Sequence, residues 1–563
     1  MPSHEQQQQQ PQQPPHSAPK KEWIRGVNIG GWLLAERFIT PYLFAVNSCH
    51  LQGSLCWYPG QMGSRTSAEQ TVTLCDPTLC QPMLSVHGKP PTDYHLIHGL
   101  EAASSTSDGR GITSEGTDYP VDEYTLGKLL RTATEPSASS PRTETAAGMG
   151  SSATTASVPS TSTPRIVTQY MERHWETFLT YHDLHTLQEH GVTHLRIPMG
   201  YWIRNTPQVS ILDVDAEPYI PGGWPYFVRA CRWARSLGLT VWADLHGAPG
   251  SENGFDNSGH YLGHSSCDGW SKSPKNVQRT LDILTDLCVG IVDDQISDVV
   301  TGFGILNEPF ADCPENVVRQ YYNDALEVVR SILGDTTSVF VGDTFRATKF
   351  NDGQFWLNAT KYHDTYLDSH PYHVFFEQGR SFTPKQHIAY VCRHDTQAVQ
   401  DCCYDDGPET NTIVSTGISR LTGEWSAAYD ILPTAMTPHL MKGILHNKNN
   451  SAVPYLHRTL TPPQTEFLTN FVKAQMIAYE ADVIAPGLAS GWLFWNFKME
   501  YVLSLYTTLS FSLSRIMVSL FSLTPYIISC FLSFSLSCII IIYYCYHLLK
   551  GVVPLLNGIF CAD

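Results

Sequence analysis

Residues 299–310 read Val-Val-Thr-Gly-Phe-Gly-Ile-Leu-Asn-Glu-Pro-Phe, a short apolar run that ends in an amide and a carboxylic acid. A compact apolar stretch bounded by polar and turn-forming residues suits a strand buried on both faces. On its N-terminal side, residues 275–291 carry apolar side chains at helical spacing. On its C-terminal side, residues 314–333 do the same before another strand-like run at 338–341. This order implies parallel strands joined by crossover helices. Followed outward, the alternation gives candidate strands at 24–29, 192–197, 239–245, 299–306, 338–341, 365–369, 418–423 and 490–495. Further helices are expected at about 225–237 and 463–483. Eight units favour an α/β fold of the closed (β/α)8 TIM-barrel type. No glycine-rich phosphate loop follows any strand, which weighs against an open dinucleotide-binding sheet.

The expected barrel occupies residues 22–500 and is interrupted. Residues 1–21 form a polar Gln/Pro tract, and 45–165 form a long insertion after the first strand, loop-rich and then Ser/Thr/Pro-rich. Such a polar stretch cannot build a core. Its position after a strand predicts that it lies over the barrel mouth. Residues 501–549 are anomalous, with Arg515 the single formal charge. Within them Tyr526–Tyr546 is uncharged and 21 residues long, a transmembrane candidate by hydropathy and a possible point of membrane association. The same bias toward Phe, Leu, Ser, Ile, Tyr and Cys also fits translated intron sequence. Both readings stand, and either one replaces the helix expected to follow the last strand.

A net charge of −17 with no basic stripe argues against a nucleic-acid partner. Fifteen cysteines are many for a reducing compartment. Cys49, Cys56, Cys75 and Cys80 cluster and could form two bridges, and Cys402-Cys403 invites the same reading; buried free thiols are the alternative. The first four lack CxxC spacing, so structural zinc is disfavoured. No apolar leader segment is visible before Trp23. Asn358-Ala-Thr and Asn449-Asn-Ser are sequons of a kind frequent by chance.

In a barrel of this type the reacting groups stand at the C-terminal strand ends. Those ends carry Glu36, Arg196, His246, Asn307-Glu308, His370 with Tyr372, Glu424 and Trp495. Each has an ordinary explanation. Asn-Glu-Pro often starts a helix, a histidine often sits satisfied in a core, and a tryptophan is usually packing. Polar residues after nearly every apolar strand are harder to explain that way. Glycoside hydrolysis needs two carboxyl groups across the scissile bond, one of them kept protonated by a raised pKa. Glu308 suits the acid/base and Glu424 the nucleophile. No metal or cofactor is expected, because two carboxyl groups and a water suffice.

The runs GVNIGGWLLAERFITPYLF (26–44), HLRIPMGYW (194–202), DLHGAPGSENGFDNSG (244–259), ILNEPF (305–310), HPYHVF (370–375), TGEWS (422–426) and GWLFWNFKME (491–500) resemble the fungal exo-β-1,3-glucanases of glycoside hydrolase family 5. The resemblance covers residues 23–44, about 119–126, and 169–500. It implies Glu308 as acid/base and Glu424 as nucleophile, with Arg196 beside the nucleophile. It further implies Asn307 on the sugar 2-hydroxyl and His370 with Tyr372 orienting the carboxylates. Glu36 and His246 would line the non-reducing-end subsite over a Trp495 floor, and Phe255 with Phe375 would clamp the next glucose, with Asn257 beside them.

The chain departs from that family in three ways: it shows no secretory leader, it has Glu252 where glutamine is usual, and its apolar run begins at Tyr501. The implied activity is retaining release of glucose from β-1,3-glucan, in glucan catabolism and cell-wall organisation, by an extracellular or cell-surface monomer. A related β-glucosidase, β-1,6-glucanase or transglycosylase, and an inactive glucan-binding barrel, are the alternatives.

Overall fold

A computed structural model describes residues 23–44, 121–132, 165–204, 217–346, 362–375, 377–395, 404–406, 413–415, 418–429, 461–480 and 489–498. Eight strands close into one parallel barrel: β1 (Ile24–Asn28), β2 (His194–Gly200), β3 (Thr240–Gly247), β4 (Val300–Gly304), β5 (Ser338–Gly342), β6 (Thr365–Ser369), β7 (Ser419–Thr422) and β8 (Ala489–Phe494). Every expected strand is present. The last pairs with the first in parallel register, from Ile24 opposite Gly491 to Val27 opposite Phe494. The sheet therefore closes within residue 494, ahead of the apolar run.

The main helices are α1 (Glu123–Thr132), α2 (Arg165–Phe178), α3 (Tyr181–Glu189), α4 (Trp224–Leu237), α5 (Pro274–Asp293), α6 (Glu315–Leu333), α7 (Pro384–Tyr390) and α8 (Pro462–Tyr479). Their ends follow local chemistry. The Ser273 side chain accepts from the Asn276 amide and Pro274 opens α5, while α4 stops at Gly238 in the left-handed region, φ 69°. An antiparallel ribbon, Tyr404–Asp406 with Ile413–Ser415, lies outside the barrel sheet.

Successive strand residues face opposite sides, so each strand feeds both the barrel interior and the strand–helix layer. Inside, Ile24, Trp242, Phe340, Leu421 and Leu493 form one apolar cluster, with Trp242 and Phe340 stacked at 5.0 Å. Above it the interior becomes polar. The Arg196 guanidinium lies 5.9 Å from the centre of the Phe340 ring and marks the boundary.

The sequence reading of 45–165 as a loop-rich insertion did not anticipate α1. Residues 45–120 and 133–164, the tail 1–22, the proposed bridges of Cys49, Cys56, Cys75, Cys80, Cys402 and Cys403, both sequons and the 526–546 segment lie outside the described residues. Among the described residues no helix is long and apolar enough to cross a membrane. Cys267 and Cys313 are disulfide-bonded, a pair the sequence reading did not single out. Cys231 and Cys288 are buried free thiols.

Candidate active site

The C-terminal strand ends converge on Arg196, which is fully buried on β2. One terminal nitrogen donates to Glu424 Oε1 at 2.6 Å and to Asn28 Oδ1 at 2.9 Å. The other donates to Asn307 Oδ1 at 2.7 Å and lies 3.1 Å from Asp244 Oδ2. Burial opposes its charge, but Asp244, Glu424 and Asp368 outweigh that and hold the guanidinium above its ordinary pKa. One cation thus fixes groups from four other strands or strand ends.

Glu308 and Glu424 have different partners. Glu424 Oε2 accepts from the Tyr372 hydroxyl at 2.8 Å, in addition to the Arg196 bond. Glu308 Oε2 accepts from the Asn257 amide at 2.9 Å, and Glu308 Oε1 is 2.6 Å from His370 Nδ1. His370 Nε2 faces Asp368 Oδ2 at 3.3 Å, while its Nδ1 is 3.7 Å from Glu424 Oε2. One oxygen of each glutamate and a nitrogen of His370 all lie within 4.8 Å of one another. That spacing is one a cation could bridge. Here the donors Arg196, Tyr372, Asn257 and His370 already compensate both carboxyl groups.

The expectation that the Glu308 pKa is raised does not hold. Burial does push it up, but the His370 hydrogen bond and charge, with the Asn257 bond, outweigh burial and bring it below the usual glutamate value. His370 moves the opposite way. Burial disfavours its charge, yet Glu424, Asp368 and the Glu308 hydrogen bond carry it well above an ordinary histidine. The two shifts run in opposite directions across the 2.6 Å contact, each favouring the charged form of its group.

His246 Nδ1 meets Asp244 Oδ2 at 2.7 Å, and its Nε2 is 3.3 Å from the Asn307 amide nitrogen. Its ring lies nearly parallel to Trp495, 5.7 Å between centres. Gly30 makes room for that indole: a Cβ there would stand 2.6 Å from its edge. Gly423 serves Asp368 similarly, since a Cβ would come within 2.0 Å of the carboxylate just before Glu424. Glu36 is buried with Oε1 unpartnered among the described residues, and burial first, then Asp256, Glu424 and Glu308, push its carboxyl well up. Phe255 packs edge-on against Phe310 at 5.6 Å and Phe375 against Tyr372 at 5.0 Å, the two rings coming from the loops after β3 and β6. Asn257, expected beside those rings, reaches Glu308 with its amide at 2.9 Å.

Sequence reasoning missed Asn28, Asp244 and Asp368. Asn28 joins Arg196 to the Gly423 carbonyl, with its Nδ2 2.9 Å from that oxygen. The available signal was an acid inside an otherwise apolar strand, as in Trp242-Ala243-Asp244-Leu245 and Tyr366-Leu367-Asp368. A buried charge there demands a partner.

No family model matches the chain. It is 31% identical over 349 residues to a probable glucan 1,3-beta-glucosidase A of Aspergillus clavatus, covering 59% of this chain and 72% of that protein. A protein of the same name from Aspergillus fumigatus is 33% identical over 347 residues, with the same coverage. The glucan 1,3-beta-glucosidase of Lachancea kluyveri is 27% identical over 517 residues, 90% of this chain and 89% of that one. Among solved structures, the rutinosidase from Aspergillus niger aligns with a TM-score of 0.46 at 13% identity, over 85% of this chain and 90% of that one, too distant a likeness to bear on function.

Proposed function

The chain belongs to the fungal glucan 1,3-beta-glucosidases of glycoside hydrolase family 5, and from that membership we propose that it releases glucose from β-1,3-glucan with retention of configuration. The observation that carries the reading is the separation of the two carboxyl groups, one oxygen of each within 4.8 Å. Retaining glycosidases hold theirs about 5–5.5 Å apart, whereas inverting enzymes leave room for a water at roughly 6.5–9.5 Å.

Glu424 attacks the anomeric carbon while the bond to the leaving oxygen breaks and Glu308 protonates that oxygen. Glu308 then takes a proton from water, which displaces Glu424 and frees β-glucose. Arg196 and Tyr372 orient the nucleophile through both its oxygens. The proton for the first step comes from the His370–Glu308 pair. Sugar entering the site displaces water, weakens the ionised form of Glu308, and draws the proton across. Burial pushes the Glu36 carboxyl well up, which suits it to donate to a sugar hydroxyl, and Trp495 and His246 together offer a flat wall. Phe255 and Phe375 serve the next glucose. We further propose a role in glucan catabolism and cell-wall organisation outside the reducing cytosol, a compartment that the Cys267–Cys313 disulfide supports.

Soluble β-1,3-glucan tests the reading. We expect β-glucose to appear first by NMR, and Glu424→Gln to lower kcat by about 10⁴-fold or more, as removal of a covalent nucleophile does. Initial α-glucose would overturn retention. Binding without any release would put the non-hydrolytic reading ahead.

A further inference from the structure

Helix α1 emerges from the insertion and opens on two acids, the capping Asp122 and Glu123 in its first turn, that the chemistry above does not use. Asp122 and Glu123 are both buried, at 0% and 2% exposure. Asp122 caps the helix, its Oδ1 accepting from the Thr125 amide at 2.7 Å, while its Oδ2 accepts from the Tyr261 amide at 2.5 Å. Glu123 Oε2 accepts from the Ala35 amide and Oε1 from the Trp202 indole, both at 2.7 Å. The Tyr124 amide donates to the Gly259 carbonyl at 3.0 Å, and its ring stacks on His260 at 3.8 Å. At the far end Arg131 donates to the carbonyls of Pro218 and Tyr219. Gly127 lets the helix press close, since a Cβ there would meet the Pro218 oxygen at 2.3 Å.

These contacts bridge the loops after β1, β2 and β3. Ala35 is the residue before Glu36, and Gly259 lies two residues beyond Asn257. We propose that Glu123 is a positioning residue: by accepting both the Ala35 and Trp202 protons it fixes the backbone that presents Glu36 to the sugar. The assignment rests on the glucosidase reading only for what Glu36 touches. It makes the affinity of the non-reducing-end subsite depend on a helix borne by the insertion. Burial pushes the Glu123 carboxyl up to about 8, while the Ala35 and Trp202 hydrogen bonds pull it down. Both partners are donors with no lone pair to offer, so the ionised form serves both. An amide in its place must turn its NH2 against one of them, a penalty felt in full above that pH.

Glu123→Gln, Trp202→Phe and the double variant separate this role from simple support of the fold. Each is assayed with p-nitrophenyl β-D-glucoside, and laminaribiose is titrated into the same variants combined with Glu424→Gln. Loss of one such hydrogen bond predicts about tenfold higher KM and Kd for Glu123→Gln, with kcat little changed. Removing the indole donor lets glutamine serve Ala35 alone, so the double variant should return to within about twofold of Trp202→Phe. A lowered Tm with KM and Kd unchanged overturns the proposal while leaving the glucosidase reading intact. A double variant no better than Glu123→Gln overturns the route through Ala35. A wild-type chain that neither hydrolyses the glucoside nor, as Glu424→Gln, binds laminaribiose overturns both.

Discussion

The barrel interior holds two layers built by the same strands with opposite physics. On β3, Trp242 faces the apolar floor, and Asp244, two residues or about 6.6 Å further along the strand, faces the charged layer. The floor is stabilised by removing area from water, a non-directional effect that tolerates replacement by similar volume. The upper layer gains little from burial as such. Arg196, Asp244, Asp368, Glu424 and His370 remain buried because each charge has a partner, and removal of one leaves the others exposed to a low-dielectric interior. Stability in the floor is divisible; in the upper layer it is shared.

The largest expected effects break that comparison open. Arg196→Met should cost roughly 3–5 kcal/mol by stranding Asp244 and Glu424, and should reduce kcat by on the order of 10³-fold in the remaining folded protein. Trp242→Ala should cost a similar 3–5 kcal/mol through a cavity, yet leave kcat per folded molecule within a few-fold. Denaturant melts with active-site titration measure both. Equal losses of kcat in the two variants would mean that the layers are not separable.

A smaller effect sharpens the picture of the shared proton. His370 is held well above 6.5 and Glu308 below 4.5, so each favours its charged form and the two titrate as a pair. The stabilisation from His370 is full below its unfolded value and is lost as pH rises through the raised folded one. That from Glu308 is present above its unfolded value and is lost as pH falls through the depressed one. The alkaline limb of kcat/KM therefore belongs to the pair and lies above pH 6.5. In His370→Asn the proton must reside on Glu308 itself, so the limb should move to lower pH. An unmoved limb would show that another group sets it.

The two layers also differ in how much of each the sequence discloses. The strands are legible because a strand buried on both faces is largely apolar, as 299–306 and 338–341 are. The ends Glu308, His370, Tyr372 and Glu424 are legible because they interrupt that pattern at equivalent places. Asp244 and Asp368 lie inside the apolar runs, where their partners come from other strands and no local spacing announces them. Asn257 could be placed in its loop, but its bond to Glu308 depends on the folding of residues 251–259, which periodicity does not describe. Helix α1 was obscured by composition: its neighbours in sequence are polar, and the partners of Glu123, and of one oxygen of the capping Asp122, come from distant loops. The direction of the Glu308 shift required the His370 distance, and no sequence contains it.

The smallest expected effect concerns an acid at the border of the charged layer that has only half of what its neighbours have. Glu252 is fully buried, with Oε2 accepting from the Ala248 amide at 3.1 Å and Oε1 without a partner among the described residues. Burial first, then the charges of Glu308 and Asp244, against two backbone hydrogen bonds, raise its pKa from 4.5 to about 8. In the unfolded chain it ionises near 4.5, while in the fold it keeps its proton to about 8, so the unfolded state binds fewer protons across that window. Its contribution to stability accordingly falls as pH rises from about 4.5 to about 8, then levels off. Glutamine is the same shape with no proton to lose. Glu252→Gln should match the wild type in Tm at pH 4 and exceed it by a few degrees at pH 8. A Tm difference independent of pH would mean that Glu252 is ionised in the fold, with a donor supplied to Oε1, and would move it into the shared layer.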